Sequence, residues 1–174
     1  MNNLTKIGND AKFVTLGIGD EVFAVPVETV VEILDMRQVF RIPEAPACLA
    51  GLIDVRGRGV PVIDLRVKLG LPAAAATAHT RILVLEIPLG GRQLALGLIA
   101  DRVFEVMALD MGQVEPPPDI GEAWRSGYIR GVGRRGGGFV VIFDLARLFS
   151  PEAELLVRTG TPGAAMAELE LSGA

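Results

Sequence analysis

The feature that most constrains this chain is that it repeats. Displaced by 80 residues, 49–65 falls on 129–145 without a gap. Gly51 then meets Gly131, Gly57 meets Gly137, Val60 meets Val140, and Asp64-Leu65 meets Asp144-Leu145. A displacement of 73 lays 21–33 on 94–106, matching Glu28 with Asp101, Val30 with Val103, Glu32 with Glu105 and Ile33 with Val106. Both matches run in the same order, so the chain reads as one unit built twice. The expected division is a single domain over 12–150, with halves of roughly 12–80 and 81–150.

The unit is made mostly of strands. Phe13-Val14-Thr15-Leu16-Gly17-Ile18 runs into the turn signal Gly19-Asp20 and then Val22-Phe23-Ala24-Val25, which predicts a hairpin. Val30–Leu34, Val60–Ile63, Arg81–Ile87 and Phe139–Phe143 are short and rich in β-branched residues. Pro26 and Pro61 interrupt apolar runs, which predicts edge strands or strand starts there. Two short helices follow a common plan. Asp64 precedes Leu65–Leu69 and Asp144 precedes Leu145–Phe149, each aspartate placed to cap a first turn. Short strands with glycine and proline turns at close spacing predict small barrels or a sandwich.

The halves differ at one hairpin. The first reads Val55-Arg56-Gly57-Arg58-Gly59 and its counterpart reads Arg135-Gly136-Gly137-Gly138-Phe139. Arg56 has no charged counterpart at its own position, which marks it as a contact residue rather than a requirement of the fold.

Scarce residue types exclude much chemistry. Cys48 is the only cysteine, so neither an intrachain disulfide nor a thiolate metal site can form. His79, the only histidine, sits in the alanine-rich run 73–80, far in sequence from Ser126, Ser150 and Ser172. A Ser-His-acid triad is a poor expectation. Gly131-Val132-Gly133-Arg134-Arg135-Gly136 spells the dinucleotide fingerprint, but further glycines and a β-branched strand follow where a helix should open. It reads as a glycine-tipped hairpin, with a nucleotide binder kept only as a third hypothesis. With a net charge of −4, the chain lacks a nucleic-acid binder's basic footprint. The first ten residues have no apolar signal core and no run is long enough to span a membrane, so a cytoplasmic protein without direct membrane contact is expected.

The run Gly51-Leu52-Ile53-Asp54-Val55-Arg56-Gly57-Arg58-Gly59-Val60-Pro61-Val62-Ile63-Asp64-Leu65-Arg66 resembles the signature of CheW-type chemotaxis coupling proteins. Phe23–Ile33, Gly97–Val106 and Tyr128-Ile129-Arg130-Gly131 through Phe143-Asp144-Leu145 resemble that family's other elements, in its order. The resemblance implies two five-stranded, SH3-like β-barrel subdomains around a shared hydrophobic core, with short helices. It implies a non-enzymatic adaptor without cofactor or metal, holding the regulatory domain of the histidine kinase CheA and the cytoplasmic tip of a chemoreceptor. The receptor contact maps to Val30, Glu32, Arg56, Gly57 and Gly97, and the kinase contact to Ile42, Pro43, Arg58 and Gly59. The alternative within the family is a scaffold for a non-chemotactic motility or developmental kinase pathway.

Two departures stand out. Asp54-Val55 stands where many members have Asn-Leu, placing an acid beside the proposed contact. Residues 151–174 lie beyond the motifs and read as a C-terminal helix and tail, partly disordered.

Overall fold

The computed structural model describes residues 10–89, 91–117 and 127–152. Its strands are β1 (Asp10–Ile18), β2 (Glu21–Pro26), β3 (Val30–Asp35), β4 (Leu49–Val55), β5 (Arg58–Asp64), β6 (Arg81–Leu89), β7 (Arg92–Ala100), β8 (Arg102–Asp110), β9 (Ile129–Arg135) and β10 (Gly138–Phe143). They form two five-stranded sheets, each curled into a half-barrel, with orders β8-β1-β2-β10-β9 and β3-β6-β7-β5-β4.

The repeat is real, but its halves do not fold side by side. Each sheet takes a hairpin from one repeat and three strands from the other. The expected division at residue 80, one barrel per half, is therefore corrected. The cause lies in the connections. Only Asp101 separates β7 from β8, and one residue cannot turn a strand back onto its neighbour as a two-residue hairpin does. The matching connection, a 3-10 turn at Val27–Thr29 entered through an extended Pro26, likewise carries the chain into the other sheet.

Register confirms the equivalence. Parallel β2 and β10 align Ala24 with Ile142, and parallel β7 and β5 align Gly97 with Val62. Those pairs superpose under the displacements of 73 and 80. A bulge between Val14 and Leu16 against β8 recurs between Val30 and Glu32 against β6.

Three clusters fill the interior. Phe13, Ala24, Leu109, Val140 and Ile142 pack inside one half-barrel. Leu34, Ile53, Val60, Val62, Ile82 and Val84 pack inside the other. The largest cluster lies between the sheets, joining Leu16, Phe23 and Val25 to Leu83, Leu85 and Leu98, with Phe143 and Phe149. Phe23 and Phe143 stack there with ring centres 4.7 Å apart. A shared core is thus what holds the sheets together.

Helices α1 (Leu65–Lys68) and α2 (Leu145–Leu148) follow β5 and β10. Asp64 Oδ1 accepts the Arg66 N–H at 3.1 Å, and Asp144 Oδ1 accepts the Arg147 N–H at 3.2 Å, the expected caps. The reading of Pro26 and Pro61 as edge markers is corrected: β2 is the central strand of its sheet and β5 is internal in the other. Pro26 ends β2 beyond its last pairing with β10 at Ala24. Pro61 faces Leu52, whose N–H and C=O both bond to Phe40, so no donor is required of the proline on that side.

The matched glycines Gly51 and Gly131 also acquire a cause. A Cβ at Gly51 would strike the Phe40 carbonyl, and one at Gly131 would strike Val114 and the Glu115 carbonyl. In each half a preceding segment crosses the strand at that glycine, through the bridges Phe40–Leu52 and Glu115–Val132.

Candidate functional site

The β4–β5 hairpin is a two-residue turn. Val55 pairs with Arg58, leaving Arg56 and Gly57 at φ 54° and 81°. Glycine takes such angles freely, whereas an L-residue pays about 1–2 kcal/mol. Asp54 Oδ1 accepts the Gly57 N–H at 2.8 Å and helps to hold this geometry. The acid that departs from the family pattern is therefore a turn cap.

Arg56 reaches from the strained turn to β3. Its Nη2 lies 3.2 Å from Glu32 Oε1, with Arg56 77% exposed and Glu32 26% exposed. The contact joins the two strands that end this sheet's order. An ion pair so exposed adds at most about 1 kcal/mol. Its value to the fold is no greater than the strain of its turn. On the outward positions of the same strand Val31 and Ile33 are 51% and 44% exposed, and Val30 packs partly against the shared core. Arg56 and Gly57 of the hairpin thus meet Glu32 on β3, an edge strand whose outward positions Val31 and Ile33 are apolar.

Gly97 is not on that surface. It is buried in β7, where an added Cβ would sit 3.1 Å from both Ile82 Cγ2 and Val62 Cγ2. It matches Ala24 of the other repeat and serves the inside of the half-barrel.

Ile42 and Pro43 lie in the loop before β4, half-buried and exposed respectively. Arg58 and Gly59 begin β5 opposite Val55 and Asp54. The four residues flank β4 at different heights, with the exposed Phe40 opposite Leu52 between them.

Position-by-position comparison missed a second such site. Glu105 on β8, the counterpart of Glu32, lies 3.2 Å from Arg135 Nε of the β9–β10 hairpin. Arg56's own counterpart is Gly136, as expected, but an arginine one place earlier supplies the equivalent charge, so the difference in sequence does not by itself mark Arg56 as a contact. Around the Arg135–Glu105 pair Phe104, Val106 and Phe139 are exposed. The Arg135 guanidinium lies 4.7 Å from the Phe104 ring centre, and Arg134 lies 5.1 Å from that of Phe139. The glycine fingerprint at 131–136 runs along β9 into this hairpin, as expected, and opens no helix. Both exposed sites are edges that offer apolar contact and charge, the makings of protein docking.

The sequence profile of the CheW-like domain matches residues 12–153. The chain belongs to the CheW-like domain family. Chemotaxis protein CheW of Treponema pallidum (strain Nichols) is 31% identical over 144 residues, 82% of this chain and 85% of the relative. Protein FrzA of Myxococcus xanthus is 30% identical over 114 residues, 66% of this chain and 69% of the relative. Among solved structures, the scaffolding protein TtCheW from Thermoanaerobacter tengcongensis superposes with a TM-score of 0.70 at 28% identity, over 80% of this chain and 92% of that one. Within this CheW-like domain no described helix is long and apolar enough to cross a membrane.

Proposed function

We propose that this CheW-like domain is a non-enzymatic adaptor that couples chemoreceptors to the histidine kinase CheA, working in the cytoplasm and reaching membrane arrays through its partners. The observation that carries the reading is the Arg56–Glu32 pair. An arginine is held at positive φ, largely in solvent, paired with Glu32 of an edge strand whose outward positions Val31 and Ile33 are exposed. Strain kept at an exposed position with little return in stability points to a contact. A guanidinium joined to an edge strand with apolar outward positions suits the carboxylates, carbonyls and apolar face of a receptor helix.

In this reading the receptor tip meets Val30, Glu32, Arg56 and Gly57. Gly97 acts from beneath by letting β5, β6 and β7 pack closely. The regulatory domain of CheA docks near Ile42, Pro43, Arg58 and Gly59, using the strand edge and hairpin there. The likeness to Protein FrzA leaves a second reading open: the same scaffold in a non-chemotactic motility or developmental kinase pathway.

Calorimetric titration separates the two. Low-micromolar 1:1 binding to the regulatory domain of the organism's chemotaxis kinase, and separate binding of a receptor-tip fragment, is expected from the first. A folded protein that binds neither belongs to the second.

A further inference from the structure

Where α1 meets the chain beyond α2, the protein buries an ion pair. Lys68 Nζ donates to Glu152 Oε1 at 2.7 Å, and the two side chains are 9% and 7% exposed. The Cys48 thiol donates to the same oxygen at 3.3 Å. Lys68 also lies 5.2 Å from the Tyr128 ring centre. Among the described residues, Glu152 Oε2 is buried without a hydrogen-bond partner.

The fold does not require this pair. Under the displacement of 80, Lys68 matches Leu148, which is fully buried, and Cys48 matches Tyr128. An apolar side chain therefore satisfies the equivalent place. What the pair adds is a link between sheets. Lys68 sits on the helix leaving β5, whereas Glu152 lies in the helical turn at 150–152 that follows the helix leaving β10.

We propose that Glu152 is a latch. Closed, it fastens the chain after α2 to α1 and holds the thiol of the half-buried Cys48; it opens while the cores of both sheets stay intact. The energetics favour such an element. Burying two charges costs much of what their attraction returns, and a carboxylate oxygen left without a partner lowers the return further. Opening rehydrates Glu152 and leaves the three apolar clusters, of which neither Lys68 nor Glu152 is a member, in place. Local openings of this kind draw on weakly held contacts rather than on the core. The inference does not depend on which partners the domain binds.

Cys48, the only cysteine, is a built-in reporter. Burial, reinforced by the hydrogen bond to Glu152 and its charge, pushes the thiol pKa up to about 11. The closed state is therefore slow to react, because the thiolate is the attacking species.

The test is the rate of Cys48 labelling by the aromatic disulfide DTNB. It uses the full chain across a urea series, with pH varied so that thiol ionisation is separated from access. The latch predicts labelling that is nearly flat with urea below the unfolding transition. It predicts labelling faster by roughly tenfold or more in Glu152→Gln with cooperative unfolding retained. The double variant Lys68→Met/Glu152→Leu, apolar like its counterpart in the repeat, should label slowly again. Wild-type labelling that rises with the urea dependence of global unfolding would overturn the proposal, even if Glu152→Gln fails to fold. An unchanged rate in a folded Glu152→Gln variant would do the same.

Discussion

Arg66 Nη1 lies 2.7 Å from Asp101 Oδ2, and the same carboxylate oxygen accepts the Gly19 N–H at 2.7 Å. Three elements meet there: the helix after β5, the single residue between β7 and β8, and the β1–β2 turn of the other sheet. Asp101 is the point where the chain crosses between sheets, and its side chain secures the crossing. Replacing it by alanine strands Arg66 and removes the cap on the turn. The expected loss is about 2 kcal/mol, read as a lowered urea midpoint with unchanged slope. Asp101→Asn should lose less, because an amide oxygen still accepts.

Gly51 and Gly131 should be the least replaceable glycines of the strands. Gly51→Ala drives a Cβ into the Phe40 carbonyl at φ 147°, and Gly131→Ala meets Val114 and the Glu115 carbonyl. We expect each to cost about 3 kcal/mol or more, from overpacking at both positions and from backbone strain in addition at Gly51. Gly57→Ala, with open space around it but φ 81°, should cost only about 1 kcal/mol. Chemical denaturation of the three variants orders them.

Arg56→Gly relieves the left-handed strain while giving up an exposed ion pair. Those effects are both about 1 kcal/mol and opposite in sign, so the unfolding midpoint should barely move. Receptor binding should nevertheless be lost. A large drop in stability would show that the pair serves the fold instead.

Stability should carry a pH signature from Cys48. Its folded pKa is raised from 9.0 to about 11 by burial first and Glu152 second. The folded state therefore holds a proton that the unfolded chain releases between those values. The contribution is whole below about pH 9 and is lost as pH rises through about 11. Comparing urea midpoints of the wild type and Cys48→Ala across that window isolates it: the alanine variant should show the shallower decline.

Much of this architecture is legible in the sequence. The displacements of 73 and 80 identified equivalent positions that the two sheets later reproduced in register, and the capping aspartates stood where expected. What periodicity could not show is which repeat supplies which strand. That depends on connections as short as Asp101, whose consequence is three-dimensional. Proline rules misplaced β2 and β5 because they count missing donors without knowing which donors the neighbours need. The Arg135–Glu105 pair escaped notice because a turn can pass its arginine to the next position and still deliver the guanidinium to the same glutamate. Gly97 carried the opposite lesson: a position that the family resemblance attached to a partner turned out to be packed between Val62 and Ile82.

The central claim is that the Arg56–Glu32 side, and not its pseudo-equivalent, meets the receptor. Titrating a receptor-tip fragment into Arg56→Glu and, in parallel, into Arg135→Glu tests it most directly, with circular dichroism confirming that both fold. The account predicts that Arg56→Glu abolishes receptor binding and retains the kinase regulatory domain, whereas Arg135→Glu binds the receptor as the wild type does. Full receptor binding by Arg56→Glu, or its loss only in Arg135→Glu, would contradict it.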